Sequence, residues 1–125
     1  MSEVCDDGKR PDSSRVIVGR KLQELLAKKR VRFILLDVAF SKSCGGAVGE
    51  LYARGIQESE AQRVLESEGV RQFACAGEDG KPLLVDGGPV ELLVAHRGIR
   101  LDDVVAFDAR SLFGLADLKV TGAQF

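Results

Sequence analysis

The chain has 125 residues, 45% hydrophobic and 30% charged, with 18 basic against 19 acidic side chains for a net charge of -1. That length suits one domain, which can bury a core without help from a disulfide or a metal. The near balance of charge leaves no electrostatic footprint for nucleic acid or an anionic membrane surface, and no apolar run is long enough to span a bilayer.

Residues 1–14 are polar and lack the apolar core of a secretory signal, so a disordered leader is expected before a single domain over 15–125. Val16, Ile17 and Val18 begin a short strand. Val18, Leu22, Leu25 and Leu26 then recur at helical spacing, which predicts an amphipathic helix over 19–29 ending in a basic turn. Residues 31–40 read as the strongest strand, and the consecutive Phe33, Ile34, Leu35 and Leu36 predict burial on both of its faces. A loop over 41–49, SKSCGGAVG, follows, with a return strand over 51–55. A surface helix over 58–68 ends at Gly69, a natural residue to close a helix.

The second half reads as short strands over 70–76, 83–85, 90–95, 104–107 and 115–120. Glu78-Asp79-Gly80 and Asp86-Gly87-Gly88-Pro89 mark turns, the latter closing a hairpin, and 111–114 reads as one helical turn. Strands that cluster without intervening helices predict an α+β fold, a small mostly antiparallel β-sheet domain with one or two helices.

Cysteines occur at 5, 44 and 75, odd in number, widely spaced and without a CxxC pair. With no export signal, reduced thiols in a cytoplasmic protein are the expectation. Cys44 draws attention because it follows a buried strand in a loop with Gly45, Gly46 and Gly49. Glycines there let the backbone approach a bound group closely, and Lys42 would favour the thiolate. Cys75 is a second ligand if the chain returns toward Cys44, and otherwise a small core residue. His96 is a base for Cys44 only if the fold brings the two together; otherwise it is a surface loop residue. The run Lys28, Lys29, Arg30 and Arg32 reads as a solvated helix end or a contact for an acidic partner.

Four segments in order, VIVGRKLQELLAKK, VRFILLDVAFSKSCGG, DGGPVELLVAHRGI and VVAFDARSLFGLADLKVTGAQF, give the chain a resemblance to the HesB-like group, the A-type iron–sulfur carriers. The carriers' C-terminal cysteine pair is absent here. The resemblance implies a HesB-like α+β domain, non-enzymatic, that binds an iron–sulfur cluster or a divalent metal. Cys44 and Cys75 would be the ligands and Gly45 and Gly46 the backbone around the bound group. It further implies a homodimer that supplies Cys44 twice, and iron–sulfur assembly proteins as partners. The order of strand, cysteine loop, helix and KPLLVDGG, with Pro82 before a strand, also resembles thioredoxin-like proteins, which would make Cys44 a redox or metallochaperone thiol. A third expectation is a non-catalytic protein-interaction module that uses neither thiol nor metal, with the 58–68 helix and the turn near Lys29 as contacts.

Overall fold

A computed structural model describes residues 14–43, 46–109 and 118–125. Its elements are β1 (Arg15–Val18), α1 (Arg20–Lys29), β2 (Phe33–Ser43), β3 (Gly46–Ile56), α2 (Glu58–Leu65), β4 (Arg71–Gly77), β5 (Leu84–Val85), β6 (Gly88–Pro89), β7 (Glu91–Val94), β8 (Arg100–Ala109) and β9 (Leu118–Gln124). Seven strands form one sheet in the order β3-β2-β7-β4-β1-β8-β9, and β5 with β6 forms a separate hairpin. The sheet curls until β9 lies beside β3, with no ladder joining them among the described residues.

The expected small, mostly antiparallel HesB-like sheet is therefore wrong. The sheet is mixed and nearly closed into a barrel. β1 runs parallel to both β4 and β8, and β2 parallel to β7, while β2 with β3, β4 with β7 and β8 with β9 are antiparallel. The expectation failed because it paired strands with their neighbours in sequence. Both partners of β1 lie far down the chain, where local patterning carries no information about pairing.

The pleat sorts side chains to the two faces. Val16, Val18, Ile34, Leu36, Phe73, Cys75, Leu92, Val94, Val105 and Phe107 face inward and belong to one buried cluster. The interior is thus filled by side chains, as befits a small barrel. Phe33, Leu35 and Leu93 face outward and are covered by α2 through Ala61, together with Ile56. This is why the apolar run in β2 is unbroken: its inner half lines the core and its outer half lies under a helix. Two ion pairs tie α2 down, Arg32 with Glu58 at 3.2 Å and Arg54 with Glu60.

The buried Leu22 and Leu26 of α1 join the interior cluster, so this helix stops the end of the barrel where β1 finishes and β2 begins. Its first turn has no side-chain cap of its own, since Gly19 precedes it. The carboxylate of Asp108, from β8, fills that role. Its Oδ1 accepts from the Leu22 N–H at 3.1 Å and from the Ala109 N–H at 2.8 Å. A negative charge there also suits the helix dipole. Residue 19 is glycine because a Cβ would collide with that carboxylate.

Between β8 and β9 the register jumps, from Leu101 opposite Ala123 to Ala106 opposite Thr121. Gly122 faces the bulge with φ of 89°, and a Cβ there would strike the Val104 carbonyl oxygen. The expected 41–49 loop is also corrected. Ser41–Ser43 continue β2, and β3 begins at Gly46 paired with Ser43, so most of the segment is hairpin strand. The expected helical turn at 111–114 lies outside the described residues.

Asp108→Ala should lower the stability by about 1 kcal/mol, the usual effect of losing a helix cap. Gly122→Ala should lower it by more than about 1 kcal/mol, because alanine must adopt a left-handed backbone against a fixed carbonyl. Urea titration followed by circular dichroism measures both.

Candidate functional site

β7 accompanies β2 only from Phe33 to Leu36, and the last link is the Ala95 N–H donating to the Leu36 carbonyl at 2.9 Å. Beyond it β2 and β3 run on alone as a two-stranded arm as far as Ser43 and Gly46. Backbone groups alternate along a strand. The Leu36 carbonyl faces β7, so Val38, Phe40 and Lys42 turn their N–H and C=O groups to the same edge, past the point where β7 ends. The Val38 N–H is satisfied by Asp37 Oδ1 at 2.8 Å. Phe40 and Lys42 have no backbone partner on that edge among the described residues.

The arm leaves the barrel at the end opposite α1. Val38 is still buried in the core, but Phe40, next on the same face, is 59% exposed at the mouth. It belongs to an aromatic trio. Its ring centroid is 6.0 Å from that of His96 and 5.8 Å from that of Phe125, and His96 and Phe125 meet edge to face at 4.8 Å. Phe125 is itself 49% exposed, as is Val48 on β3. Gly49 makes room for the trio, since a Cβ there would run into both phenylalanine rings.

The far side of the mouth is held by polar contacts. His96 Nδ1 accepts from the Gly98 N–H at 2.9 Å. The Arg71 guanidinium donates to the Ile99 carbonyl at 2.6 Å, and burial lowers its pKa from the usual arginine value. These bonds fix the 96–99 turn and with it the histidine ring.

Of the four residues expected at a metal site, Cys75 and Gly46 fall among the described residues. Cys5, Cys44 and Gly45 lie outside the described residues; the flanks of Cys44, Ser43 and Gly46, stand at the arm's far end. Cys75 is inside the barrel, 3% exposed. Its N–H bonds the Val90 carbonyl, which places it level with the start of β2. At about 3.3 Å per residue, the length of β2 separates Cys75 from Ser43 by roughly 30 Å. Burial, and secondarily the charge of Glu91, push the Cys75 thiol up to about 12. Among the described residues no three His, Cys, Asp or Glu side chains group as metal ligands.

His96 is at the mouth with the phenylalanines. In the basic run, Arg32 turns away from solvent, donating to the Pro89 carbonyl at 3.1 Å and lying 4.6 Å over the Phe33 ring. Asp86 and Gly87 form the tight turn expected of them, with φ of 52° and 77°. It joins β5 to β6, whereas β7 departs into the large sheet between β2 and β4.

Two shallow grooves of about 540 and 520 Å³ run along the outer face of β1, over Ile17 and small residues such as Ala74, Ala76 and Ala106. Of their carboxylates, Asp108 caps α1 and Asp79 accepts from the Lys81 N–H, which leaves Glu78 as the one beside both grooves. The mouth is the more distinctive surface, and neither Phe40 nor Phe125 was singled out from the sequence. A signal existed. After Leu36 the continuous apolar run changes to the alternation Asp37, Val38, Ala39, Phe40, Ser41, which marks where the outer cover ends.

Compared with protein-family models, with curated proteins and with solved structures, the chain matches none. Among the described residues no helix is long and apolar enough to cross a membrane.

The raised Cys75 pKa sets a sign for alkaline stability. The folded state keeps its proton while the unfolded chain, with a thiol near 9.0, loses it. The contribution is full below about pH 9 and is lost as the pH rises toward 12. In a background of Cys5→Ser and Cys44→Ser, urea titrations at rising pH should show a decline that is shallower once Cys75→Ala is added.

Proposed function

We propose that this chain is a non-enzymatic protein-binding module that holds its partner with the arm and the aromatic mouth. The observation that carries this reading is Phe40, 59% exposed beside Phe125 on an arm that β7 and α2 leave uncovered among the described residues. An isolated two-stranded ribbon is marginal in water, so an arm of this kind gains from a surface laid against it. Covering a phenylalanine contributes on the order of 1.5–3 kcal/mol, and aromatic residues are enriched at the centres of interfaces. Gly49, His96 and the Arg71-held turn keep the rings in place, so little ordering is left for the moment of binding.

The iron–sulfur or metal reading rests on Cys44 and on a resemblance whose expected fold this barrel replaces. It also named Cys44, which lies outside the described residues, and Cys75, which is buried in the core. The binding reading needs neither cysteine.

The test uses a phage-displayed library of twelve-residue peptides, with affinities of selected peptides measured by fluorescence anisotropy. Wild type should select peptides with apolar anchors, and Phe40→Ser should weaken them about tenfold or more, near 1.4 kcal/mol. Its melting temperature should be nearly unchanged, because Phe40 is outside the core. Selected peptides that bind Phe40→Ser as tightly as wild type, or a failure to select any, would remove the reading.

A further inference from the structure

We infer that the arm's open edge is completed by a second copy of this chain, whose own arm adds to it antiparallel about a two-fold axis at Ser41. The inference builds on the reading of arm and mouth as a binding surface and specifies its occupant.

The open groups define the register. Asp37 closes the Val38 N–H, so the usable edge begins at Phe40 and continues to Lys42. A two-fold axis at Ser41 sets Phe40 opposite Lys42 of the copy, and Lys42 opposite its Phe40. In that register the N–H and C=O of both residues find partners on both chains, and no group already bonded is asked to release. A register centred on Phe40 would instead direct Lys42 at Val38, whose N–H Asp37 already holds.

Side-chain positions agree with the same register. Ala39 and Ser41 share the outer face, are both small, and so leave the seam uncrowded. The axis sets Lys42 opposite Phe40 rather than opposite the other Lys42. Phe40 of each copy is brought beside the other's arm, which covers the most exposed aromatic ring in the mouth.

Of the devices that keep strands from pairing, the edge from Val38 to Ser43 carries a single charge, Lys42, and no proline. An edge left so open would recruit chains without limit unless its pairing closed on itself. A two-fold contact does close, because each arm uses the single edge that the other offers. On the arm's opposite edge β9 lies beside β3, so growth from that side is hindered.

Position-specific crosslinking tests this on the full chain carrying Cys5→Ser and Cys44→Ser. The axis brings the two copies of residue 41 directly opposite, about 4.5 Å apart between Cα atoms, within reach of a disulfide. It places the two copies of residue 39 several residues out of step. Under a mild oxidant, Ser41→Cys should give a covalent dimer and Ala39→Cys should not. Adding Lys42→Pro, which deletes an edge N–H, should abolish the crosslink, and adding Phe40→Ser should reduce it severalfold. Sedimentation equilibrium of the wild type should show a reversible dimer, weakened tenfold or more by Lys42→Pro. A wild type monomeric at all concentrations, or Ala39→Cys crosslinking as readily as Ser41→Cys, would overturn the inference. Peptide binding that persists in a strictly monomeric wild type would overturn only this pairing and leave the binding function. Crosslinking without peptide selection would support the pairing and withdraw the broader function.

Discussion

The parallel pairing of β1 with both β4 and β8 joins what would otherwise be two separate groups of strands. On one side stand β3, β2, β7 and β4, and on the other β8 and β9. A strand of 4 residues makes the junction, with Val16 and Val18 turned into the core. The sheet can curl because both of its edges stay attached through this centre. α1 follows directly from β1, and Asp108 of β8 receives its first turn, so the end of the barrel and the centre of the sheet are fixed by the same few residues.

The outer cover of the sheet is uneven, and the exposed arm follows from that. α2 lies over Phe33, Leu35 and Leu93, where β2 and β7 run together. β7 is 4 residues long and β2 is 11, so the strand outlasts both its neighbour and its helix. What remains is an arm with one face continuing the line of the core. Phe40 therefore occupies a position that is interior by pleat and exterior by location. The trio with His96 and Phe125 is the core's last layer, open to solvent because the barrel has ended.

Local elements were largely legible in the sequence. Helical spacing of Leu22 and Leu26 located α1, the unbroken run from Phe33 to Leu36 announced a strand covered on both faces, and Asp86-Gly87 marked a true tight turn. Pairing was illegible, since nothing near Val16 says that its neighbours are Cys75 and Val105. The glycines of the SKSCGGAVG segment suggested a loop, yet Gly49 serves as a strand residue flat enough for two rings to cross it. Cys75 illustrates how a reactive residue type is silenced by its surroundings: the sequence shows a thiol, and only packing shows that it stays protonated. Phe125 carried no pattern at all, being the last residue, and its role depends on β9 returning beside β3.

The placement of β1 also governs the order in which the protein can assemble during synthesis. This strand leaves the ribosome long before its partners at Val104–Phe107. Contacts between such distant segments form slowly, because a long loop must close before they contribute anything. Until then Val16, Val18 and the apolar face of α1 have only incomplete surroundings, and β1, which β4 can pair on one side, keeps its other edge open. A nascent chain paused before β8 would hold most of its core residues and still lack the piece that unites them. The rate at which the segment from β8 onward is made therefore matters alongside the stability of the finished barrel.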